Sequence, residues 1–589
     1  MLEIKNLSLS IANSSILKDV SCRVESGEFV AVLGQNGAGK SSLLKCVTGL
    51  YSFYKGDIEL NGHVMRRLSR RESARRASYV PQLPGALGAF TARRFVAMSR
   101  YPWKKPFEGT RDDDWRIVDK ALDMTGGSRF AERFVDSLSG GERQKVLIAG
   151  AIAQSVNKKA DGESALFLLD EPTASLDYRH QAETMRLISE LHASGASILM
   201  VTHDIDSALN YAGRIIILDD GQIVWDGKPE NATKDDLLER FFGVSDENHA
   251  QRKREQTKTP ASSPKRNNHN MFWIILAASL LVLCATPFIG AKTIAFSGVL
   301  DGGTDARIFW ELRVPRVVLA WLCGSTLGLC GMIFQALFRN PLAEPTMLGV
   351  ASGASFGAAL CIYMGFGFSI LGLPAMAVCA FLAALLCVAA LQGAASLRPD
   401  GDGATLLLVG VAMNFFFSSL VMILQYIGAY QDSYRLLRWT LGGVQAIGFT
   451  EALRLLPAFI PAIAVSLFFA PELDLMLSGS EIAASRGVDL ERVRKVLFLT
   501  VSFCVALCVA FCGPVAFVGL IVPHITRLLV GAAHRRLAAA SAVFGGSFLV
   551  LCDAASRVIF APIEVPVGII TSFLGAPFFL WLLMRGKDR

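Results

Sequence analysis

The sequence predicts an α/β domain built around a phosphate-binding loop, followed by an all-α polytopic membrane domain of about ten helices. Three observations predict it. Gly34-Gln35-Asn36-Gly37-Ala38-Gly39-Lys40-Ser41 has the spacing G-x-x-x-x-G-K-S, between an apolar β-prone run at 28–33 and a segment able to continue as helix. Residues 1–244 mix polar and apolar side chains as a soluble domain does, whereas most of 271–585 is apolar runs broken by short polar pieces. Those runs are each about twenty residues long, or nearly so, the length a helix needs to cross a bilayer. At 589 residues the chain also exceeds what one core can hold.

Composition narrows the function classes. The formal charge of +7 is modest, and the basic residues stand mostly beside apolar spans and in one polar stretch, so membrane orientation explains them and nucleic acid is not an expected partner. Twelve cysteines show no framework spacing and mostly sit singly in apolar runs, which reads as small buried hydrophobes rather than disulfides or metal ligands. Met1-Leu2-Glu3-Ile4-Lys5 leads into a strand-like segment with no secretory leader, so the first domain is expected in the cytoplasm.

In the loop, Gly34, Asn36, Gly37 and Gly39 let consecutive backbone N–H groups face one anion, and the new helix adds its positive end. Lys40 is then placed for the β- and γ-phosphates, and Ser41, followed by Ser42, for a Mg²⁺ ion. The run 165–172 reads as a buried parallel strand ending in two carboxylates. Asp170 suits Mg²⁺ as a hard oxygen ligand, and Glu171 is placed to act as general base on an attacking water. A further β-rich run, 197–202, ends at His203, which could hold the γ-phosphate and that water in line. Ser139, Gly140 and Gly141 open a helix whose N–H groups make a second anion site.

The loop, Gln82, Leu138-Ser139-Gly140-Gly141-Glu142, the strand ending in Asp170-Glu171, Ser175-Leu176-Asp177 and His203, in that order, resemble the nucleotide-binding domain of an ABC transporter over 1–244. The resemblance implies an ATP hydrolase with ATP and Mg²⁺ as cofactors. It implies that Gln82 senses the γ-phosphate and metal, and that Ser139, Gly140, Gly141 and Asp177 close over ATP held by an opposite copy. Two departures stand out. Ile11 occupies the place where the family usually stacks an aromatic on adenine, and 155–164 is longer than the usual connection before the Asp-Glu strand, which reads as a surface loop.

Residues 245–270 hold nothing that can be buried and read as a flexible polar linker. The membrane domain, 271–589, then offers spans near 271–291, 316–338, 346–364, 370–393, 404–427, 453–470, 493–512, 514–530, 537–560 and 566–584, the third and eighth being short or broken. Ten crossings place both termini and the ATPase in the cytoplasm. The loops then inside carry Arg339, Arg398, Arg486, Arg492, Arg494, Lys495, Arg535 and Arg536, in keeping with the positive-inside rule.

Leu312-Arg313-Val314-Pro315-Arg316, the segments 334–345 and 348–353, Gly513–His524 and 565–571 resemble the permease of the importers for ferric siderophores, heme and cobalamin, over about 307–585. Ser99-Arg100-Tyr101-Pro102-Trp103 resembles a segment of the cassettes that serve them. The resemblance implies a multi-pass protein of the bacterial cytoplasmic membrane. It also implies a homodimer, since the two parts are commonly separate chains, and a periplasmic or lipid-anchored substrate-binding protein. An iron–siderophore complex is the first expected substrate, with heme or cobalamin as the alternative. Glu481, Ala484 and Gly487 look like part of a coupling segment, 480–495, that docks near Gln82. Arg313, Arg316 and Arg557 look like partners for acidic residues of the binding protein. An ABC exporter usually has about six spans placed before its cassette, the opposite order.

Overall fold

The computed structural model describes the chain apart from residues 12–13, 83–86, 89, 106, 157–164, 175, 232–268, 291–293, 301–302, 371–372, 397–402, 562 and 586–589. The expected linker and polar loop therefore lie outside the described residues except at their ends, as do Ser175 and Arg398. Two compact units form, one from residues 1–265 with Asp474–Leu490, the other from residues 266–473 with 491–589.

The first unit is built on a six-stranded sheet in the order β10 (Gln222–Gly227), β9 (Arg214–Asp219), β3 (Phe29–Leu33), β8 (Ser197–Val201), β7 (Leu166–Asp170), β6 (Ala77–Val80). All neighbours are parallel except β9–β10. Successive side chains of a strand face opposite ways, and here both faces are covered. Phe29, Ala31 and Leu33 join one core with Phe167, Leu169, Ile198 and Met200, while Val30 and Val32 join another with Leu166, Leu168, Leu199 and Val201. This is why these runs are continuously apolar rather than alternating. A second, antiparallel sheet has the order β2 (Ser14–Val24), β1 (Leu2–Ile11), β4 (Lys55–Leu60), β5 (His63–Val64). Ile11 ends β1 half-buried against the second core. The helices of this unit include α1 (Lys40–Val47), α2 (Arg70–Arg76), α3 (Ala92–Met98), α4 (Asp112–Met124), α5 (Gly140–Ser155), α6 (Tyr178–Ala193) and α7 (Ile205–Tyr211).

In the second unit, seven helices among the described residues are long and apolar enough to cross a membrane, and Val350–Tyr363, Ala375–Leu391 and Val518–Val530 are shorter apolar helices. Each of the ten expected spans is thus matched by one helix, and the third and eighth are short, at 14 and 13 residues. The eighth starts late because residues 513–517 leave the helix, with Gly513 and Phe517 both at φ 67°. Thr304–Phe338 is the central helix, its apolar window 89% buried, whereas Leu408–Ile427 is 17% buried and offers its apolar side chains outward. Small residues let helices touch at backbone distance. A Cβ on Gly331 would stand 1.9 Å from the Gly519 carbonyl oxygen, and one on Gly357 2.2 Å from that of Cys379.

Candidate functional site

The parallel strands β3, β8 and β7 end side by side, Val32 opposite Val201 and Val201 opposite Asp170, so the turns that leave these strands meet at one sheet edge. After β3 the chain turns through Gly34, Gly37 and Gly39, all at positive φ, into α1. Gly39, at φ 97°, could carry no side chain, for a Cβ there would lie 2.8 Å from the Ile16 carbonyl oxygen. The buried Lys40 ammonium donates to the carbonyls of Gly34 (2.8 Å) and Gln35 (2.9 Å), folding back over the loop. Burial holds its pKa below the ordinary lysine value, despite Glu171 and Asp170 nearby.

Asp170 ends β7 with both oxygens engaged: the Ser41 hydroxyl donates to Oδ1 at 2.9 Å and the Tyr79 hydroxyl to Oδ2 at 3.0 Å. Burial holds its pKa above the usual carboxylate value, with the two hydroxyls opposing. Glu171, one residue on, sits in the left-handed region at φ 45°, a strained conformation for a residue with a side chain. Its N–H donates to the Val201 carbonyl at 2.9 Å, which turns its carboxylate off the sheet edge. There Oε2 accepts from the Gln82 amide at 3.1 Å and faces His203 Nδ1 at 3.6 Å, an ion-pair distance. That pairing holds Glu171 below, and His203 above, its ordinary pKa.

This edge suits a magnesium triphosphate. Ser41 and Asp170 present two hard oxygens in contact, the set that Mg²⁺ takes when phosphate and water complete its shell. A carboxylate held ionised beside a histidine is chemically a base for water.

A second cluster forms where α5 and α6 begin. Ser139 caps α5, accepting from the Glu142 N–H while the Glu142 carboxylate takes the Ser139 N–H, a reciprocal capping box. Asp177 caps α6 through the His180 N–H at 2.9 Å and holds the His180 ring at 2.8 Å. That ring lies over the start of α5: a Cβ on Gly141 would come within 2.3 Å of it, whereas one on Gly140 would meet only ordinary contacts.

The structure therefore brings Gly34 to Ser42, Gln82, Asp170, Glu171 and His203 to one edge, and Ser139, Gly140, Gly141 and Asp177 to a second cluster. Sequence reading missed Tyr79 and His180. Neither had a signal in the sequence: Tyr79 meets Asp170 because β6 pairs with β7, and His180 meets Gly141 because α6 packs by α5, both between positions distant in the chain.

The expected coupling residues also fall in this unit. Glu481 and Ala484 lie on the helix Ser480–Ser485, and Gly487 follows at φ 89°, its would-be Cβ 3.0 Å from Arg71 Cα. Residues 490–495 are helix rather than loop, since Leu490–Cys512 begins there. The segment meets α1, α2, α3 and α5, while Gln82 turns to Glu171.

Arg313, Arg316 and Arg557, expected to meet a binding protein, have partners within the chain. Their side chains turn inward. Arg316 pairs with Asp553 at 2.9 Å and Glu564 at 2.9 Å. Arg557 reaches both Asp553 (3.3 Å) and the Ile289 carbonyl (2.9 Å), and Arg313 donates to the Pro287 carbonyl at 3.0 Å. Burying guanidinium groups demands such partners.

Comparison with known proteins adds the family. Residues 275–585 match the FecCD transport family, and residues 17–174 match the ABC transporter family. The chain belongs to the FecCD transport family. A hemin transport permease of Yersinia pestis is 33% identical over 323 residues, covering 54% of this chain and 96% of its own length. A vitamin B12 import permease of Yersinia enterocolitica is 36% identical over 317 residues, covering 54% and 92%. An uncharacterized ABC transporter permease of Bacillus subtilis is 38% identical over 338 residues, covering 54% and 95%. A solved dimeric bacterial ABC transporter cassette is 26% identical over 39% of this chain and 99% of its own, with a TM-score of 0.35. This FecCD protein thus carries in one chain both a permease and an ATP-hydrolysing cassette. It is a multi-pass membrane protein and an ABC importer subunit.

Proposed function

We propose that this chain is the fused ATPase–permease subunit of an importer for a metal chelate, an iron–siderophore complex first, working as two copies in the bacterial cytoplasmic membrane with both termini and the cassette inside. Substrate reaches it from a separate binding protein. The observation that carries this reading is the pairing, in one chain, of the FecCD match at 275–585 with the assembled sheet edge of Ser41, Asp170, Glu171 and His203.

At that edge Lys40 and the loop amides bind the phosphates. Ser41, Asp170 and Gln82 would hold Mg²⁺, whose chemistry is to neutralise the charge developing on the transferred phosphoryl group. Glu171 takes the proton of the attacking water, and His203 keeps Glu171 ionised and orients it. Ser139, Gly140, Gly141 and Asp177 face the nucleotide of the second copy. The segment with Glu481, Ala484 and Gly487 passes closure of the cassettes to the permease.

Heme or cobalamin is the second reading, favoured by the hemin and vitamin B12 permeases among the relatives. One experiment separates them: uptake of labelled ferric siderophores, hemin and cobalamin by cells carrying the wild type or Glu171→Gln. The variant should bind ATP normally and lose turnover by about 10²-fold or more. Uptake of one ligand by the wild type alone names the substrate. Uptake equal in both strains for every ligand would overturn ATP-driven import of these chelates.

A further inference from the structure

The segment Asp474–Leu490 folds as part of the cassette unit, and contacts at its start, middle and end hold it there. At its start, Asp474 pairs with Arg94 of α3 at 3.1 Å. Toward its end, Arg486 is buried in a slot: its guanidinium lies 4.3 Å from the Phe95 ring centre and donates to the Phe95 carbonyl. A Cβ on Gly150 would come within 3.1 Å of it, so the slot is cut to its size. Burial pushes the Arg486 pKa down to about 9, and Ile482 beside it belongs to the cassette core. Gln154 of α5 ties the backbone between these points, its amide donating to the carbonyls of Ser485 (3.1 Å) and Ala74 (2.7 Å).

The middle point is different in kind. Glu481 pairs at 2.7 Å with Lys45, and Lys45 stands in the last turn of α1. The first turn of that same eight-residue helix carries Lys40 and Ser41, the residues that face the phosphates and Asp170. Five residues of helix span about 7.5 Å and move as one rod. Gln82, near which the coupling segment is expected to dock, donates to Glu171.

We propose that the Lys45–Glu481 ion pair is the positioning contact that carries the state of the phosphate loop directly to the permease, through α1. This rests on the reading of Asp474–Leu490 as the coupling segment. The Asp474 and Arg486 anchors keep the segment seated. Lys45 and Glu481 make it follow α1 when the loop closes on a triphosphate.

The test uses the full chain in lipid nanodiscs, with a pair of spin labels across the permease unit and the non-hydrolysable ATP analogue AMP-PNP with Mg²⁺. The wild type should change its label distance on adding nucleotide. Lys45→Glu and Glu481→Lys should each reduce the shifted population by about fivefold or more, at unchanged nucleotide affinity. The double exchange Lys45→Glu with Glu481→Lys should restore it, which a merely structural loss would not do. Should a reversed charge unseat the segment, Glu481→Gln and Lys45→Met leave its anchors intact and should show the same loss. A full response in the single variants overturns the proposal while leaving the coupling reading in place. No response in the wild type overturns the coupling reading itself.

Discussion

Glu171 and His203 depend on each other at opposite ends of the pH range. Glu171 has its pKa lowered from 4.5, so its contribution to stability is present above that value and lost as pH falls through the lowered one. His203 has its pKa raised from 6.5, so its contribution is present below 6.5 and lost as pH rises through the raised value. The pair is therefore fully formed between about pH 4.5 and 6.5 and weakens above. Glu171→Gln removes it at every pH. The difference in thermal midpoint between wild type and this variant, in detergent without nucleotide, should shrink as pH climbs from about 6 to 9. A difference that is constant or grows would show that His203 does not titrate against Glu171. Glutamine and glutamate meet the same cost in the left-handed region at this position, which keeps the comparison to the carboxylate.

Among the described elements of the membrane unit, close backbone packing and an ionic contact both join the helices. Glycines bring Thr304–Phe338 against its neighbours at backbone distance, and one ionic knot ties them. Asp553, on His534–Val558, is 1% exposed and takes both Arg316 from Val314–Phe338 and Arg557 from its own helix. Removing one partner of a buried pair leaves an uncompensated charge, which typically costs about 3–5 kcal/mol. Asp553→Ala should therefore lower stability by about that amount, read as a fall in the thermal midpoint of the purified protein. Asp553→Glu, which keeps the charge, should lose less. Equal loss in both would mean that packing rather than charge holds the knot. The same helix contact gives Arg316 a partner within the chain. A Val-Pro-flanked arginine at a span end looks like a surface group in one dimension, and only the neighbouring helix supplies Asp553.

For the whole molecule, one chain holds one ATPase and one permease, and two copies are proposed to complete two nucleotide sites together. Ser139 and Gly141 stand at the start of α5 and Asp177 at the start of α6, apart in the chain from the phosphate loop they are proposed to serve in the other copy. Mixing wild type with Glu171→Gln at increasing ratio should therefore lower ATPase activity more steeply than the wild-type fraction falls. A linear fall would mean that each copy works alone.

The phosphate loop, the two carboxylates ending a buried strand, the histidine ending the next, and the ten apolar spans can all be read from the amino-acid order. They are legible because each depends on neighbours within one element: glycine spacing, a continuous apolar run between two covered faces, or about twenty apolar residues in a row. Which side chains of distant elements meet is settled by packing alone. Tyr79 on Asp170, His180 over Gly141, Asp553 among the arginines and Lys45 on Glu481 join positions that no periodicity relates. Packing also settles that Asp474–Leu490, which reads along the chain as a loop between two spans, folds with the cassette. Its apolar Ile482 and its arginine are buried there, and burial is a property of the partner surface rather than of the segment's own sequence.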